Sequence, residues 1–329
     1  MKRIVSLAAV FVLITVLFTG CAEKESKLTT VRLCEVAHSI FYAPQYAAMQ
    51  LGFFEEEGLQ LELTNGGGAD KVMTAVLSGQ ADIGLAGPEA CIYVALEGRE
   101  DGVRVFAQLT KRDGAFLVGR EDVEKFGWQQ LAGSTVIGGR KGGVPEMTLE
   151  YVLRKNGLEP GRDLEVDTTV AFNMMAGAFT GGTGDYVALF EPTATEVELA
   201  GNGYVLCSIG QESGEIPYTA YFASESYMEE QSQVVEKFTR VIARAQEWVR
   251  THTPEEIAAN LTEAFPDSSM EVLTAVAARY QEIDAWNETP EMKEEALSRL
   301  QEVMMQAGEL DTTVAFADIV EPHFWETLE

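Results

Sequence analysis

The stretch Leu59–Glu89, LQLELTNGGGADKVMTAVLSGQADIGLAGPE, constrains the fold of this chain more than any other. Leu59, Leu61 and Leu63 alternate with Gln60, Glu62 and Thr64, the period of a strand with one buried face, and the run Gly66-Gly67-Gly68 then breaks it. Ala69 to Leu77 holds good helix formers, with Val72, Val76 and Leu77 at helical spacing. Gly79 stops that helix, and Ala81 to Ala86 reads as a buried strand closed by Gly87 and Pro88. The result is a compact βαβ unit with parallel strands. Its glycine run and its Ala86-Gly87-Pro88-Glu89 turn should share one sheet edge, and open α/β sheets bind ligands at that edge.

Three glycines at a strand-to-helix turn let backbone N–H groups approach a ligand beside a helix N-terminus; the plain alternative is a tight turn without side chains. Nucleotide motifs fit poorly. Lys71 stands where G-x-G-x-x-G needs its third glycine, and no G-x-x-x-x-G-K-[ST] occurs in the chain.

At 329 residues and 46% hydrophobic content the chain can bury a large core, and two domains or lobes are expected. A formal charge of −28 without a Lys/Arg cluster excludes nucleic acid as the natural partner. Met1-Lys2-Arg3, the apolar run Ile4–Phe18 and Thr19-Gly20-Cys21 read as an export signal over residues 1–20. Small residues before Cys21 look like a bacterial lipoprotein box, departing from it at Phe18, with Cys21 the acylated residue and residues 21–30 a polar tether. An uncleaved anchor is the alternative. Cys34, Cys91 and Cys207 fit neither a disulfide framework nor a zinc site; they read as small apolar residues, with one pairing left open. No metal or cofactor is expected.

In chain order, Val31–Val36 is a strand, followed by His38-Ser39-Ile40-Phe41-Tyr42 and a helix from Pro44 to Leu51. After the βαβ unit come a helix, Ala90–Glu97, and a strand, Val103–Leu109. The second half repeats the logic of the first: strands Ala115–Gly119 and Thr135–Gly138, a loop over Val123–Gly133, then Gly139-Arg140-Lys141-Gly142-Gly143 before a helix from Pro145 to Asn156. Leu164–Thr168, Tyr186–Phe190, Val205–Ile209 and Tyr218–Ala223 read as strands. Helices follow at about Val234–Arg250, Pro254–Ala264, Met270–Ile283 and Pro290–Ala307.

This order, together with Tyr42-Ala43-Pro44, Gly52-Phe53-Phe54, Gly67-Gly68-Ala69, Leu77-Ser78-Gly79-Gln80-Ala81-Asp82, Leu131-Ala132-Gly133 and Gly157-Leu158, resembles the ABC-importer substrate-binding proteins of the nitrate, sulfonate, taurine and thiamine-pyrimidine-precursor group. The resemblance implies an α/β, two-lobed periplasmic-binding-protein-like fold of type II. Its hinge strands should lie near Lys111–Phe116 and Pro217–Phe222, with the C-terminal helices packing on lobe one. Lobe one would comprise residues 31–113 and 221–329, lobe two residues 114–220. It further implies a monomer held outside the cytoplasmic membrane by its lipid, a small-molecule ligand, and an ABC permease with its ATPase as partners.

A ligand that closes two lobes must touch both, because only differential affinity shifts the equilibrium. Candidates at strand ends are His38, Ser39, Tyr42, Gly67, Gly68 and Glu89 on lobe one, and Gly142, Gly143, Glu146, Phe190 and Glu191 on lobe two, with Tyr218 at a crossover. Each has a plainer role available. His38 can bond a carbonyl, Glu146 can favour a helix N-terminus, Glu191 can cap the helix after Pro192, and Tyr42 and Tyr218 can sit in the core. Arg140, Lys141 and the helix N-termini suit a sulfonate; Glu89, Glu146 and Glu191, with Phe41, Tyr42, Phe190 and Tyr218 as stacking partners, suit an aminopyrimidine-like heterocycle better. A sensor receptor and a pyrimidine-synthase-like enzyme are the rival classes, and the enzyme is disfavoured by the lack of that family's cysteine-rich run.

Overall fold

The structure, a computed structural model, describes residues 28–328. The expected signal, Cys21 and nearly all of the tether therefore lie outside the described residues. Among the described residues ten strands form two five-stranded sheets. The first has the order β2-β1-β3-β10-β4, from Thr29–Glu35 (β1), Leu59–Asn65 (β2), Ile83–Ala86 (β3), Val103–Thr110 (β4) and Thr219–Ser224 (β10). The second has the order β7-β6-β8-β5-β9, from Ala115–Gly119 (β5), Thr135–Ile137 (β6), Glu165–Asp167 (β7), Tyr186–Phe190 (β8) and Tyr204–Ser208 (β9).

The two sheets are built alike. In each, one strand lies between two parallel neighbours: β1 between β2 and β3, and β6 between β7 and β8. The fourth place is taken by an antiparallel strand that has just arrived from the other sheet, β10 in the first and β5 in the second. The βαβ reading explains the first triplet. Helix Ala69–Leu77 follows Gly68 directly, and all four residues of β3 are buried, as expected for a strand covered on both faces.

Gly84 of β3 has a steric role. A Cβ there would lie 2.4 Å from the Phe222 ring of β10. Gly84→Ala is expected to cost about 1–3 kcal/mol through overpacking, seen as a lower urea midpoint; an unchanged midpoint would mean that β3 and β10 do not pack this way.

The C-terminal third is helical. Helix Ser232–Thr251 buries Val235, Phe238, Ile242, Ala245 and Val249 against β4 and helix Ala43–Gln50. Helices Pro254–Leu261 and Met270–Glu282 pack as a pair; Thr253 caps the first with a capping box from Glu256, and Pro254 occupies its first turn. Helix Glu294–Gln306 instead reaches helix Val144–Lys155 of the other half.

Some local expectations differ. The last long helix starts at Glu294, not Pro290, because residues 284–290 are drawn off as a strap along the end of β4: Lys111 N–H donates to Ala285 O, Asn287 N–H to Leu109 O, and Gln108 N–H to Pro290 O. Ala81 and Asp82 precede β3 instead of opening it, since the Asp82 carboxylate accepts the Arg32 backbone N–H at 2.8 Å. The loop over Val123–Gly133 holds a short 3-10 turn, Trp128–Leu131. Among the described residues Cys34, Cys91 and Cys207 form no disulfide with one another, and the first two are buried. Among the described residues no helix is long and apolar enough to cross a membrane.

Candidate ligand-binding cleft

The two sheets are joined by Lys111–Gly114 going out, and by helix Ile209–Ser213 and Gly214–Tyr218 coming back. These crossovers lie side by side. Ile216 N–H donates to Lys111 O at 2.9 Å, Tyr218 N–H to Thr110 O at 3.1 Å, and the Thr110 and Thr219 hydroxyls meet at 2.6 Å. Strand C-ends from both halves then face each other beyond them.

At the outer rim the two glycine turns meet. Gly67 and Gly142 have φ of 70° and 74°, the left-handed region that glycine enters without cost. Arg140 beside Gly142 comes within 3.9 Å of Asp70 beside Gly68, and the Tyr93 hydroxyl donates to Gly142 O at 3.5 Å. Both members of the ion pair are more than half exposed, so it holds the rim weakly. The expected anion cradle is already committed: Gly67 N–H donates to Asn65 Oδ1, Gly142 N–H to Glu146 Oε2 and Gly143 N–H to Arg140 O.

Deeper in, an aromatic cluster spans the halves. The Phe41 ring lies 5.7 Å from Phe190, 5.7 Å from Tyr218 and 5.8 Å from Tyr42, and Phe172 extends the cluster through Phe190 at 5.6 Å. Glu89, the first residue of helix Glu89–Glu97, is only 3% exposed, and its Oε2 has no hydrogen-bond partner. Burial pushes its carboxyl up to about 7, outweighing the helix N–H groups and Arg140. Tyr42 and Tyr218 are buried beside it, their hydroxyls driven well above the usual range by burial and by the nearby carboxylates, and the Tyr218 hydroxyl faces Asp113.

The remaining candidates are satisfied by the protein itself. His38 bonds Ala264 O through Nε2 at 2.9 Å and the Tyr46 hydroxyl through Nδ1 at 2.8 Å, and stacks on Phe265; its hydrogen bond to Glu35 raises its pKa. Glu191 accepts the Thr195 N–H at 2.8 Å and the Thr195 hydroxyl at 3.0 Å, capping helix Thr193–Leu199, and pairs with Arg279 at 2.8 Å. Ser39 donates from Oγ to Glu191 O at 3.3 Å, a contact between the halves. Glu146 is held by Gly142 N–H at 3.1 Å; burial first, then the Glu150 charge, push it up to about 7.

Asp113 was not singled out in the sequence, yet it lies in the first crossover with no exposure. Its signal was the charged triplet Lys111-Arg112-Asp113 between two apolar strands. Among the described residues no cluster of three or more His, Cys, Asp or Glu is arranged to hold a metal. Cavities of about 180 and 250 Å³ lie outside the cleft, the larger lined by Gln246, Tyr280 and Trp286. The interior between the lobes thus offers hydrogen-bond acceptors and flat apolar walls.

Residues 40–257 match the NMT1/THI5-like family model. The chain belongs to that family. It is 42% identical over 301 residues to a Bacillus subtilis (strain 168) protein named "Putative binding protein YtlA", covering 92% of this chain and 90% of that one. Two solved structures are similar in fold. One is the alkanesulfonate-binding protein SsuA from Xanthomonas axonopodis pv. citri bound to MOPS (TM-score 0.72, 15% identity, 90% of this chain and 99% of that one). The other is a ligand-binding component of an ABC-type import system from Staphylococcus aureus with zinc bound (TM-score 0.71, 15% identity, 91% and 98%). The fold of this NMT1/THI5-like chain is therefore the two-lobed, type II binding-protein fold.

Proposed function

We propose that this NMT1/THI5-like chain is the solute-binding component of an ABC-type importer, and that it captures a flat, N–H-bearing heterocycle of the aminopyrimidine kind. The relative named as a binding protein and the import-system neighbour support the first part. The second rests on one observation: Glu89 is buried between the lobes with an unpartnered oxygen, beside aromatic rings contributed by both halves. A carboxylate accepts hydrogen bonds from amino and ring N–H groups and repels a sulfonate or nitrate.

In this reading Tyr42, Phe190, Glu89 and Tyr218 contact ligand, while His38 and Glu191 hold the cleft's frame. The division into residues 31–113 with 221–329, and 114–220, belongs to the same proposal. So do acylation at Cys21, a monomeric state, an extracytoplasmic site at the membrane face, and delivery to a permease and its ATPase. The ligand is passed on unchanged in this reading, which the relative named as a binding protein and the import-system neighbour support.

A thermal-shift screen of residues 22–329 tests the ligand class. At a concentration of 100 times Kd, 2,4-diaminopyrimidine or a related compound should add about 2.7 kcal/mol to stability. A shift seen only with taurine, methanesulfonate or nitrate would overturn the heterocycle reading in favour of an anion.

A further inference from the structure

We propose that Asp113 and Tyr218, one on each strand crossing between the lobes, contact the ligand directly, Asp113 accepting a hydrogen bond from a ring or amidinium N–H. This rests on the reading that the cleft takes a donor-bearing ligand.

Asp113 Oδ1 accepts the Ala115 N–H at 2.7 Å, closing a local turn. Its Oδ2 is buried and faces the Tyr218 hydroxyl, close enough for each to shift the other as a hydrogen bond does; among the described residues neither reaches any other partner. An asparagine would close the same turn without burying an acidic oxygen, so the turn alone does not account for an aspartate. Even when paired with each other, the protonated acid and the phenol bring two O–H donors to one buried point and share one bond, so one donor is left over, and a ligand that completes the set removes that cost.

The nearby cations turn away. Lys111 Nζ reaches Asp284 at 2.9 Å and Glu288 at 3.4 Å, and Arg112 reaches Asp284 at 3.6 Å, all on the strap behind the hinge. What faces Asp113 is Tyr218 from the second crossover and Tyr280 from helix Met270–Glu282, with Tyr42 and Glu89 beyond Tyr218. The Gly210 backbone packs behind it, where a Cβ would lie 2.1 Å from Asp113 O. None of these groups is a cation. Burial raises the Asp113 carboxyl to about 8, against the pull of the Ala115 N–H and the Tyr218 hydroxyl, so near neutrality its acid form predominates.

A cationic ligand favours the ionised carboxylate, so its binding expels a proton. Affinity should rise with pH up to about 8 and weaken below it. Because the contacts sit on the two strands that connect the lobes, a ligand held there links occupancy to the geometry of the hinge.

The test compares wild type with Asp113→Asn and Tyr218→Phe by apo melting, by titration with benzamidine, which stays cationic throughout, at pH 6 and pH 8.5, and by titration with 2,4-diaminopyrimidine at pH 8.5. Asp113→Asn should melt at the wild-type temperature or higher, bind at least tenfold more weakly at pH 8.5, and keep only the smaller pH dependence that Glu89 gives as it ionises near 7. Tyr218→Phe should fold normally and bind severalfold more weakly. An Asp113→Asn protein that melts several degrees lower, or binds as wild type does at both pH values, overturns the proposal and makes the aspartate structural. If wild type takes neither nitrogen probe but takes sulfonates, the donor-ligand reading falls and this proposal falls with it.

Discussion

Replacing Glu89 with Gln should stabilise the ligand-free protein at pH 8 by about 3 kcal/mol while weakening ligand binding roughly 10- to 150-fold. The stability figure follows from linkage. The Glu89 carboxyl is raised from 4.5 to about 7, and 7 − 4.5 = 2.5, at about 1.36 kcal/mol per unit. Because the folded state favours the protonated form, stability from this group is fully present below about pH 4.5 and is lost as pH rises through 7. Gln resembles the protonated acid and cannot ionise, so the variant should match wild type at pH 4 and exceed it at pH 8. The binding figure reflects the loss of a hydrogen bond to a charged acceptor, about 1.5–3 kcal/mol. Urea unfolding at both pH values and a titration with the best heterocycle check the two halves independently. Equal stability at pH 8 would show that the carboxyl is not buried as described.

The opposite outcome is expected for Arg279→Met. Glu191 is 1% exposed, and its carboxylate depends on Arg279 Nη1 at 2.8 Å together with the Thr195 cap. Removing the guanidinium leaves a buried charge short of its partner, which costs about 3–5 kcal/mol. The loss crosses between lobes, since Arg279 belongs to helix Met270–Glu282 and Glu191 to the turn after β8. Combining it with Glu191→Gln should recover most of the stability, because the orphaned charge is then gone. A single mutant losing less than about 1 kcal/mol, or a double mutant no better than the single, would remove Glu191 from the frame and return it to the list of ligand contacts.

The repeated strand–glycine–helix units were readable because period-2 and period-3.6 patterns alternate cleanly around Gly66–Gly68 and Gly139–Gly143. The strap at residues 284–290 was not, because its backbone bonds go to Gln108, Leu109 and Lys111, more than 170 residues away in sequence, and Pro290 mimics a helix start. Glu89 was found from its position at a strand end. Whether His38 and Glu191 face ligand or protein was undecidable from sequence, since their partners Ala264, Tyr46 and Arg279 come from other elements. Asp113 escaped notice because one aspartate after two cations looks like a solvated loop; only their partners distinguish them, Lys111 reaching Asp284 and Glu288 on the strap and Asp113 facing Tyr218.

The place of β10 in the first sheet bears on how the chain must be assembled. β4 has no hydrogen-bonded neighbour within that sheet except β10, and Thr110 meets a partner, Thr219, 109 positions later. A nascent chain emerging from its N-terminus therefore carries an eight-residue, largely buried strand with open edges until the whole intervening half has been made. Closure of the first sheet waits on a partner 109 positions downstream, so this protein gains its cooperativity late, and fragments ending before Ser224 are the species most prone to pair with one another.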